Sequence, residues 1–241
     1  MRRFSSLCVL FACSALAGCT RDTDDVNPHS KGVNSDVTAD ASGAHTVNGS
    51  IEVPSGLSTN AVSTVNGSIH VGDNATLSAA HTVNGGIHLG SHVTATSVKT
   101  VNGAVSLGDG AHVSESVRTV NGSVTLQNGS EVTGRLVNVN GAIELKGAHV
   151  ARGIETVNGD IDLVDSAHVE GGIVVRKPTS SWILSLFQTE HEPRIVIGPG
   201  SAVQGNLRFE HKVRLYVSDK ATIGPVTGAT PQRFSGDQPP G

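Results

Sequence analysis

Aromatic side chains are nearly absent from this sequence. Its 241 residues include only five Phe, one Trp and one Tyr, and none of these lies between Phe11 and Trp182. Large rings normally fill the space between packed elements, so an ordinary globular core is excluded over that stretch. The apolar residues there are mainly Val, Ile, Leu and Ala, which favours thin, closely stacked layers of strand. A hydrophobic content of 37% with 16% charged residues also argues against a disordered chain.

Cysteine is scarce too, and an export signal accounts for all three residues. Arg2 and Arg3 precede an apolar run over residues 7–16, which is shorter than the roughly 20 residues of a membrane span. The segment ends in Leu16-Ala17-Gly18-Cys19, which resembles the lipobox of bacterial lipoproteins. This resemblance implies that residues 1–18 are removed and that Cys19 is lipidated as the mature N-terminus. An ordinary cleaved secretory signal is the alternative, and it would leave Cys19 as a free thiol.

Loss of the signal segment excludes several kinds of chemistry. Cys8 and Cys13 leave with it, so no disulfide, thiol nucleophile or cysteine metal site is expected in the mature chain. The basic residues fall from 17 to 15 against 21 acidic ones, and the net charge changes from -4 to -6. A nucleic-acid partner needs a basic face and is not expected. The predicted partner is a membrane, contacted through the lipid anchor.

An internal repeat predicts the fold. The tripeptide Val-Asn-Gly recurs every 18 or 19 residues from Val47 to Val157. Each copy leads into an alternation such as Ile69-His70-Val71, which is typical of a strand with one buried face. A turn, a second apolar position and a third short stretch follow. The period therefore predicts an all-β fold, a single-stranded, three-sided parallel β-solenoid of roughly nine coils and about 40 Å. Helical repeats and propeller blades are excluded by their greater length.

The repeat also predicts the domain organisation. Residues 46–225 form the solenoid, with a loop excursion at 176–194 where the repeat is lost and the only dense cluster with rings occurs. Residues 19–45 are polar and are interpreted as a flexible tether, and the proline-containing residues 226–241 as a disordered tail. Phe209 and Tyr216 lie in the final coils, where their rings are expected to cover the open end of the stack.

Equivalent residues of successive coils should stack into columns. Three aliphatic columns are predicted to point inward, beginning at Val47, Ile51 and Val53. The asparagines are interpreted as a structural ladder rather than a binding array, because Asn-Gly is a bend dipeptide in which Gly tolerates positive φ and stacked amides can hydrogen-bond. The ladder consists of Asn48, Asn66, Asn84, Asn102, Asn121, Asn140 and Asn158.

Two bacterial groups resemble these repeats. Thr-Val-Asn-Gly-Ser-Ile and its variants, from Thr46 to about Val175, resemble the β-strand-repeat, adhesin-head-like domains of envelope proteins. The coils from Ile195 to Gly228, with Ile197-Gly198-Pro199-Gly200, are similar to bactofilins. The bactofilin resemblance implies a right-handed three-sided β-helix that polymerises end to end and acts as an envelope scaffold. The lipoprotein signal, the ring-bearing loop and the expected end caps depart from that pattern.

Two sets of residues are candidates for chemistry. The six-residue spacing of apolar positions also resembles that of hexapeptide-repeat acyltransferases, in which a histidine is the general base. The candidate for that role is His191, which lies beside Glu190 and Glu192. The favoured interpretation is that His191 is an exposed loop histidine without a catalytic role. The second set is a row on one outer face, in which His149 and His168 lie on adjacent coils near enough for a weak transition-metal site. Surface histidines without a metal role are favoured there. The row consists of His112, Glu131, His149 and His168.

The apolar excursion is the best candidate for an interaction site. It either folds back over the solenoid or is exposed as an anchor for a partner or a membrane surface. Its apolar residues are Trp182, Ile183, Leu184, Leu186 and Phe187.

Together these features predict a non-enzymatic cell-envelope lipoprotein that acts as a structural or assembly scaffold. No cofactor is expected, and a homo-oligomer or an envelope protein is the expected partner. An adhesin-like polymer- or sugar-binding surface protein is the first alternative, and the acyltransferase is a distant one. Thr20 rather than Asp after the lipidated cysteine resembles the pattern of lipoproteins sent to the outer membrane.

Deleting residues 181–188 distinguishes the two interpretations of the excursion. If its rings pack on the solenoid, the deletion lowers the midpoint of thermal unfolding, because buried apolar surface is lost. If they dock a partner, the midpoint is unchanged and co-purifying proteins are lost. Thermal unfolding and affinity purification of the two chains measure these outcomes.

Overall fold

The computed structural model describes residues 34–178, 192–236 and 238–239. Within these ranges the chain is all-β, contains no helix, and winds into a parallel β-solenoid. No helix there is long and apolar enough to cross a membrane. The signal segment with Cys19, and the excursion residues from Trp182 to His191, lie outside the described residues.

One side of the solenoid is an eleven-stranded parallel sheet with one strand from each coil. Equivalent residues pair directly, as Ile69 does with Ile51 and Ile87. The strands are β1 (Val37–Thr38), β3 (Ile51–Val53), β5 (Ile69–Val71), β7 (Ile87–Leu89), β9 (Val105–Leu107), β11 (Val124–Leu126), β14 (Ile143–Lys146), β17 (Ile161–Val164), β20 (Arg194–Ile197), β23 (Arg214–Ser218) and β26 (Gln232–Phe234).

The other two sides belong to a second parallel sheet of fifteen strands. In its early coils one longer strand spans both sides; these strands are β4 (Ser58–Ser63), β6 (Thr76–His81), β8 (Thr94–Lys99) and β10 (His112–Arg118), after the short β2 (Ala44–His45). Later coils carry two separate strands, namely β12 (Glu131–Val132) and β13 (Leu136–Val137), β15 (His149–Val150) and β16 (Ile154–Thr156), β18 (His168–Val169) and β19 (Ile173–Val175), β21 (Ala202–Val203) and β22 (Leu207–Phe209), and β24 (Thr222–Ile223) and β25 (Val226–Thr227).

Glycine explains why the longer strands divide. From Gly134 onward, glycine occupies the corner between the two sides, with Gly153, Gly172 and Gly205 in the following coils. A Cβ atom at Gly134 would lie 1.1 Å from the carbonyl oxygen of Glu115 in the preceding coil. The backbone of each later coil therefore turns tightly against its neighbour, and the strand is interrupted there.

The solenoid is longer than the repeat alone predicts. Strands occur at Val37–Thr38 and Ala44–His45, in the predicted tether, and at Val226–Thr227 and Gln232–Phe234, in the predicted tail. The eleven strands of the first sheet stack over about 48 Å rather than about 40 Å. These terminal coils lack the Val-Asn-Gly tripeptide, and they lie outside the rhythm of aliphatic residues that continues from Ile195 to Ile223, so the repeat does not predict them.

The register of the solenoid is the same on both sides of the excursion. Strand β19 ends at Val175, and β20 begins at Arg194. Ile195 nevertheless pairs with Ile161, and Leu207 with Ile173, as if the intervening residues were absent. The excursion is thus inserted at the corner where the other coils carry Asn-Gly.

One predicted interior column is wrong. The columns beginning at Ile51 and Val53 are buried in each coil up to Leu215 and Val217, but the valine of each Val-Asn-Gly is only half-buried, and Val83 is 38% exposed. The residue before that valine points inward instead. This inner column is Thr46, Thr64, Thr82, Thr100, Thr119, Asn138 and Thr156.

The buried threonines are satisfied by the neighbouring coil. The hydroxyl of Thr82 donates to the carbonyl of Gly67 at 2.9 Å, and that of Thr100 to Gly85 at 3.0 Å. Thr64 and Thr119 make the same bond to Gly49 and Gly103 at 2.9 and 3.1 Å. A buried hydroxyl without a partner costs about 1–3 kcal/mol, so threonine is suited to this column because its bond ties each coil to the one before it.

Close approach, rather than positive φ, explains the glycine of most Asn-Gly corners. A Cβ atom at Gly85 would lie 1.9 Å from the carbonyl oxygen of Gly67, and one at Gly67 would lie 2.0 Å from that of Gly49. Positive φ occurs in this column at Gly141, whose φ is 120°. The backbone also stays paired through the corner, because Asn84 N–H donates to Val65 at 2.7 Å and Gly85 N–H to Asn102 at 3.0 Å.

The rings of the last coils do not form the expected end cap. Phe209 is buried in the interior core, where it follows Val175 in the same inner column, one coil later. Tyr216 lies on the outer side of the first sheet in a separate cluster with Val196 and Phe234. The guanidinium of Arg194 lies 5.7 Å from the centre of the Tyr216 ring, a cation–π contact that shields its face.

Substituting Gly85 with alanine tests the close approach. The new methyl would overlap the Gly67 carbonyl, which is held in place by the hydrogen bond from the Thr82 hydroxyl, so we expect the free energy of unfolding to fall by about 3 kcal/mol. The matched control is Gly86→Ala, because Ser68 and Ala104 occupy that column in the adjacent coils, and it should change stability by less than about 1 kcal/mol. Urea unfolding of both variants measures the difference; equal effects would contradict the explanation.

Candidate functional site

The asparagine ladder runs along one exposed corner of the solenoid. Each side-chain amide donates to the carbonyl oxygen of the preceding asparagine, as from Asn84 to Asn66 at 2.8 Å. The ladder also extends one coil before Asn48, to Asn34, at 2.7 Å. The remaining bonds join Asn66 to Asn48, Asn102 to Asn84, Asn121 to Asn102, Asn140 to Asn121 and Asn158 to Asn140 at 2.7–2.9 Å. Because one donor and one acceptor of each amide are used within the ladder, its first role is to join coils.

The row of His112, Glu131, His149 and His168 has the register that the spacing predicts. Glu131 pairs with both His112 and His149, and His149 pairs with His168. Their side chains point outward, because the next residue on each strand is a buried valine. The rings of His149 and His168 are 5.5 Å apart at an angle of 41°.

Two further residues complete this site. Glu170 follows His168 by two positions and therefore points to the same side, and its Oε1 lies 3.1 Å from Nε2 of His149. On the opposite edge of that ring, Nδ1 of His149 lies 3.6 Å from Oε1 of Glu131. Gln204, on the next coil, places its side-chain nitrogen 3.1 Å from Nε2 of His168.

These contacts join three potential metal ligands. One ligand atom from each of His149, His168 and Glu170 lies within 4.8 Å of the others. The repeat spacing predicts the two histidines of this site but neither Glu170 nor Gln204. The alternation of extended residues is the signal for Glu170, since it directly continues β18 and so shares a face with His168.

A second pair of histidines stacks on the first sheet. The rings of His70 and His88 are 5.1 Å apart and nearly parallel, at 10°. Burial lowers the pKa of His88, and the neighbouring His70 lowers it further. Protonation of His88 is therefore disfavoured. Among the described residues, no carboxylate forms a three-residue ligand group with His70 and His88 as Glu170 does with His149 and His168.

Charge pairs occupy the outer face of the side formed by β13, β16, β19 and β22, near the first residues of the excursion. Glu155 accepts from Arg135 at 3.2 Å and also pairs with Arg176. Glu210 accepts from the backbone N–H of Lys177, which, with the nearby Arg208, holds the pKa of its carboxyl below its usual range. These pairs link coils around the first residues of the excursion. They are exposed enough that each contributes little to stability.

Burial also affects one carboxylate on the first sheet. Burial raises the pKa of Asp162, while Arg194, at 3.4 Å, opposes that rise. Asp162 and Arg194 lie on adjacent coils, on the same outer surface as Tyr216. The apolar Val196 and Tyr216 follow Asp162 in its column, and the polar Gln232 comes after them, so this surface is apolar over two coils.

Comparison with known proteins gave no match to this chain, whether among family profiles, curated proteins or solved structures.

Proposed function

We propose that this chain is a non-enzymatic lipoprotein of the cell envelope that acts as a rigid structural or assembly scaffold. The observation that carries this proposal is the uninterrupted stack of coils. Its interior is a single aliphatic core from Val37 to Ala221, closed by backbone and side-chain bonds between coils. Such a stack provides a stiff rod with regularly spaced outer columns, which is what a scaffold requires.

The ends of the rod favour assembly. Strands β1 and β26 are the terminal strands of the first sheet, and each has one neighbour. Val37 and Ala39 donate their N–H groups to Ser50 and Glu52 of the following coil. Since successive N–H groups of a strand alternate in direction, that of Thr38 points away from the solenoid. An edge of this kind is a template for pairing with another chain.

The bactofilin-like character of the final coils belongs to this proposal. End-to-end assembly of solenoids is the property that this resemblance implies. Lipidation of Cys19 would attach the assembly to a membrane, and Thr20 favours the outer membrane of a cell that has one. An adhesin-like role is the alternative, in which single rods contact polymer or sugar through their outer columns.

Substituting Thr38 with proline tests assembly through the N-terminal edge. Proline removes the outward N–H and is tolerated on an edge strand, whereas Thr38→Ala keeps that N–H and is the matched control. We expect filaments or defined oligomers from the processed, delipidated chain and from Thr38→Ala, and smaller species from Thr38→Pro. Size-exclusion chromatography and electron microscopy measure the difference.

The unsubstituted chain decides between the two roles. If it remains monomeric at every concentration tested, the scaffold proposal is overturned and the adhesin-like alternative is favoured. If it assembles and Thr38→Pro assembles equally well, the scaffold proposal stands but its junction lies elsewhere than at this edge.

A further inference from the structure

We propose that His149, His168 and Glu170 form a binding site for a divalent transition-metal ion of the zinc class. Two imidazoles and one carboxylate are a ligand set that Zn²⁺ accepts, with a fourth position left for water. The proposal does not depend on the scaffold function, since the three ligands lie on one outer face of two adjacent coils.

The backbone places the three ligands without any loop. His149 and His168 are paired across β15 and β18, and Glu170 comes directly after β18 on the same face. Their ligand atoms already lie within 4.8 Å of one another. Coordination requires about 2.0–2.2 Å from each ligand atom to the ion. Side-chain rotations that move these atoms by about an ångström therefore close the site. The strands themselves stay fixed by the ladder bonds of His149 to Ser130 and of His168 to Ala148, each 2.9 Å.

Residues around the ligands orient them. Glu131 lies on the Nδ1 side of His149, so a proton held there leaves the Nε2 lone pair facing Glu170. A carboxylate behind a ligating histidine is the usual way in which proteins fix the tautomer and the ring orientation. The side-chain amide of Gln204 contacts Nε2 of His168 at 3.1 Å and so also limits the orientation of that ring.

Small residues leave the site open. Ala202 pairs with His168, and Ala151 stands opposite Glu170 in the register set by the bond from Glu170 N–H to Val150. The His149 side chain is 33% exposed, and an ion can reach it from solvent. Other coils carry threonine in the histidine column, at 76, 94 and 222, so the two adjacent imidazoles depart from the repeat.

Zinc titration of the processed chain, purified without a histidine tag and kept in detergent, tests the proposal by calorimetry. Since threonine belongs to this column, His149→Thr and His168→Thr should leave the fold intact, as judged by circular dichroism and the thermal midpoint without zinc. We expect a saturable binding event that each variant weakens at least about tenfold, and that Glu170→Gln also weakens.

The control is His88→Ser, which removes one ring of the other stacked pair and takes the residue found at that position in the next coil, Ser106. It should bind zinc as the unsubstituted chain does. The proposal is overturned if the unsubstituted chain shows no saturable binding, if His149→Thr and His168→Thr bind zinc unchanged, or if His88→Ser loses binding to the same extent. Any thiol at Cys19 is common to all these chains and so cancels in the comparison.

Discussion

The close approach of successive coils at the Asn-Gly corners is the constraint on which the rest of the structure depends. With no side chain at Gly67, Gly85 or Gly103, the carbonyl oxygen of one corner occupies the space that a Cβ atom of the next would need. The backbone bonds then run through the corner without a break, and the amide of each asparagine reaches the one before it. A stack held this closely encloses a narrow interior, which aliphatic side chains and threonine fill and most rings would not. The scarcity of aromatics is consistent with this narrow interior, which holds one ring, Phe209, near its C-terminal end.

The same spacing determines what the surface can do. Every outward residue has its equivalents about 4.8 Å above and below it, so two residues about 18 positions apart behave as neighbours. Most columns are chemically mixed and offer no repeated ligand. The row containing His149 and His168 differs because two imidazoles are adjacent, and carboxylates flank them on both sides. A function specific to this chain is thus to be sought where columns depart from the repeat, rather than in the repeat itself.

Much of this arrangement could be predicted from the period alone. The fold class, the pairing of His149 with His168 and the inward columns of Ile51 and Val53 all follow from adding 18 or 19 to a residue number. The inward direction of Thr82 rather than Val83 could not be predicted in the same way, because strand alternation does not continue through a corner. The strands at Val37–Thr38 and Gln232–Phe234 could not be predicted, because those coils lie outside both the Val-Asn-Gly repeats and the rhythm of aliphatic residues that continues from Ile195 to Ile223. Tyr216 packs in a side cluster with Phe234, and Phe234 belongs to a coil that the sequence predicts as tail. The position of the Tyr216 ring therefore does not follow from the repeat.

Removal of one whole coil tests the central claim most directly. Deleting residues 83–100 takes out 18 residues and joins Thr82 to Val101, which restores every column. Deleting residues 83–91 takes out half a coil and shifts all later columns. If stacking in register through the corners defines the fold, the first chain keeps its β-sheet circular dichroism in buffer and unfolds cooperatively when urea is added. The second chain loses its structure already in buffer. Equal stability of the two chains, or loss of structure in both, would contradict the account.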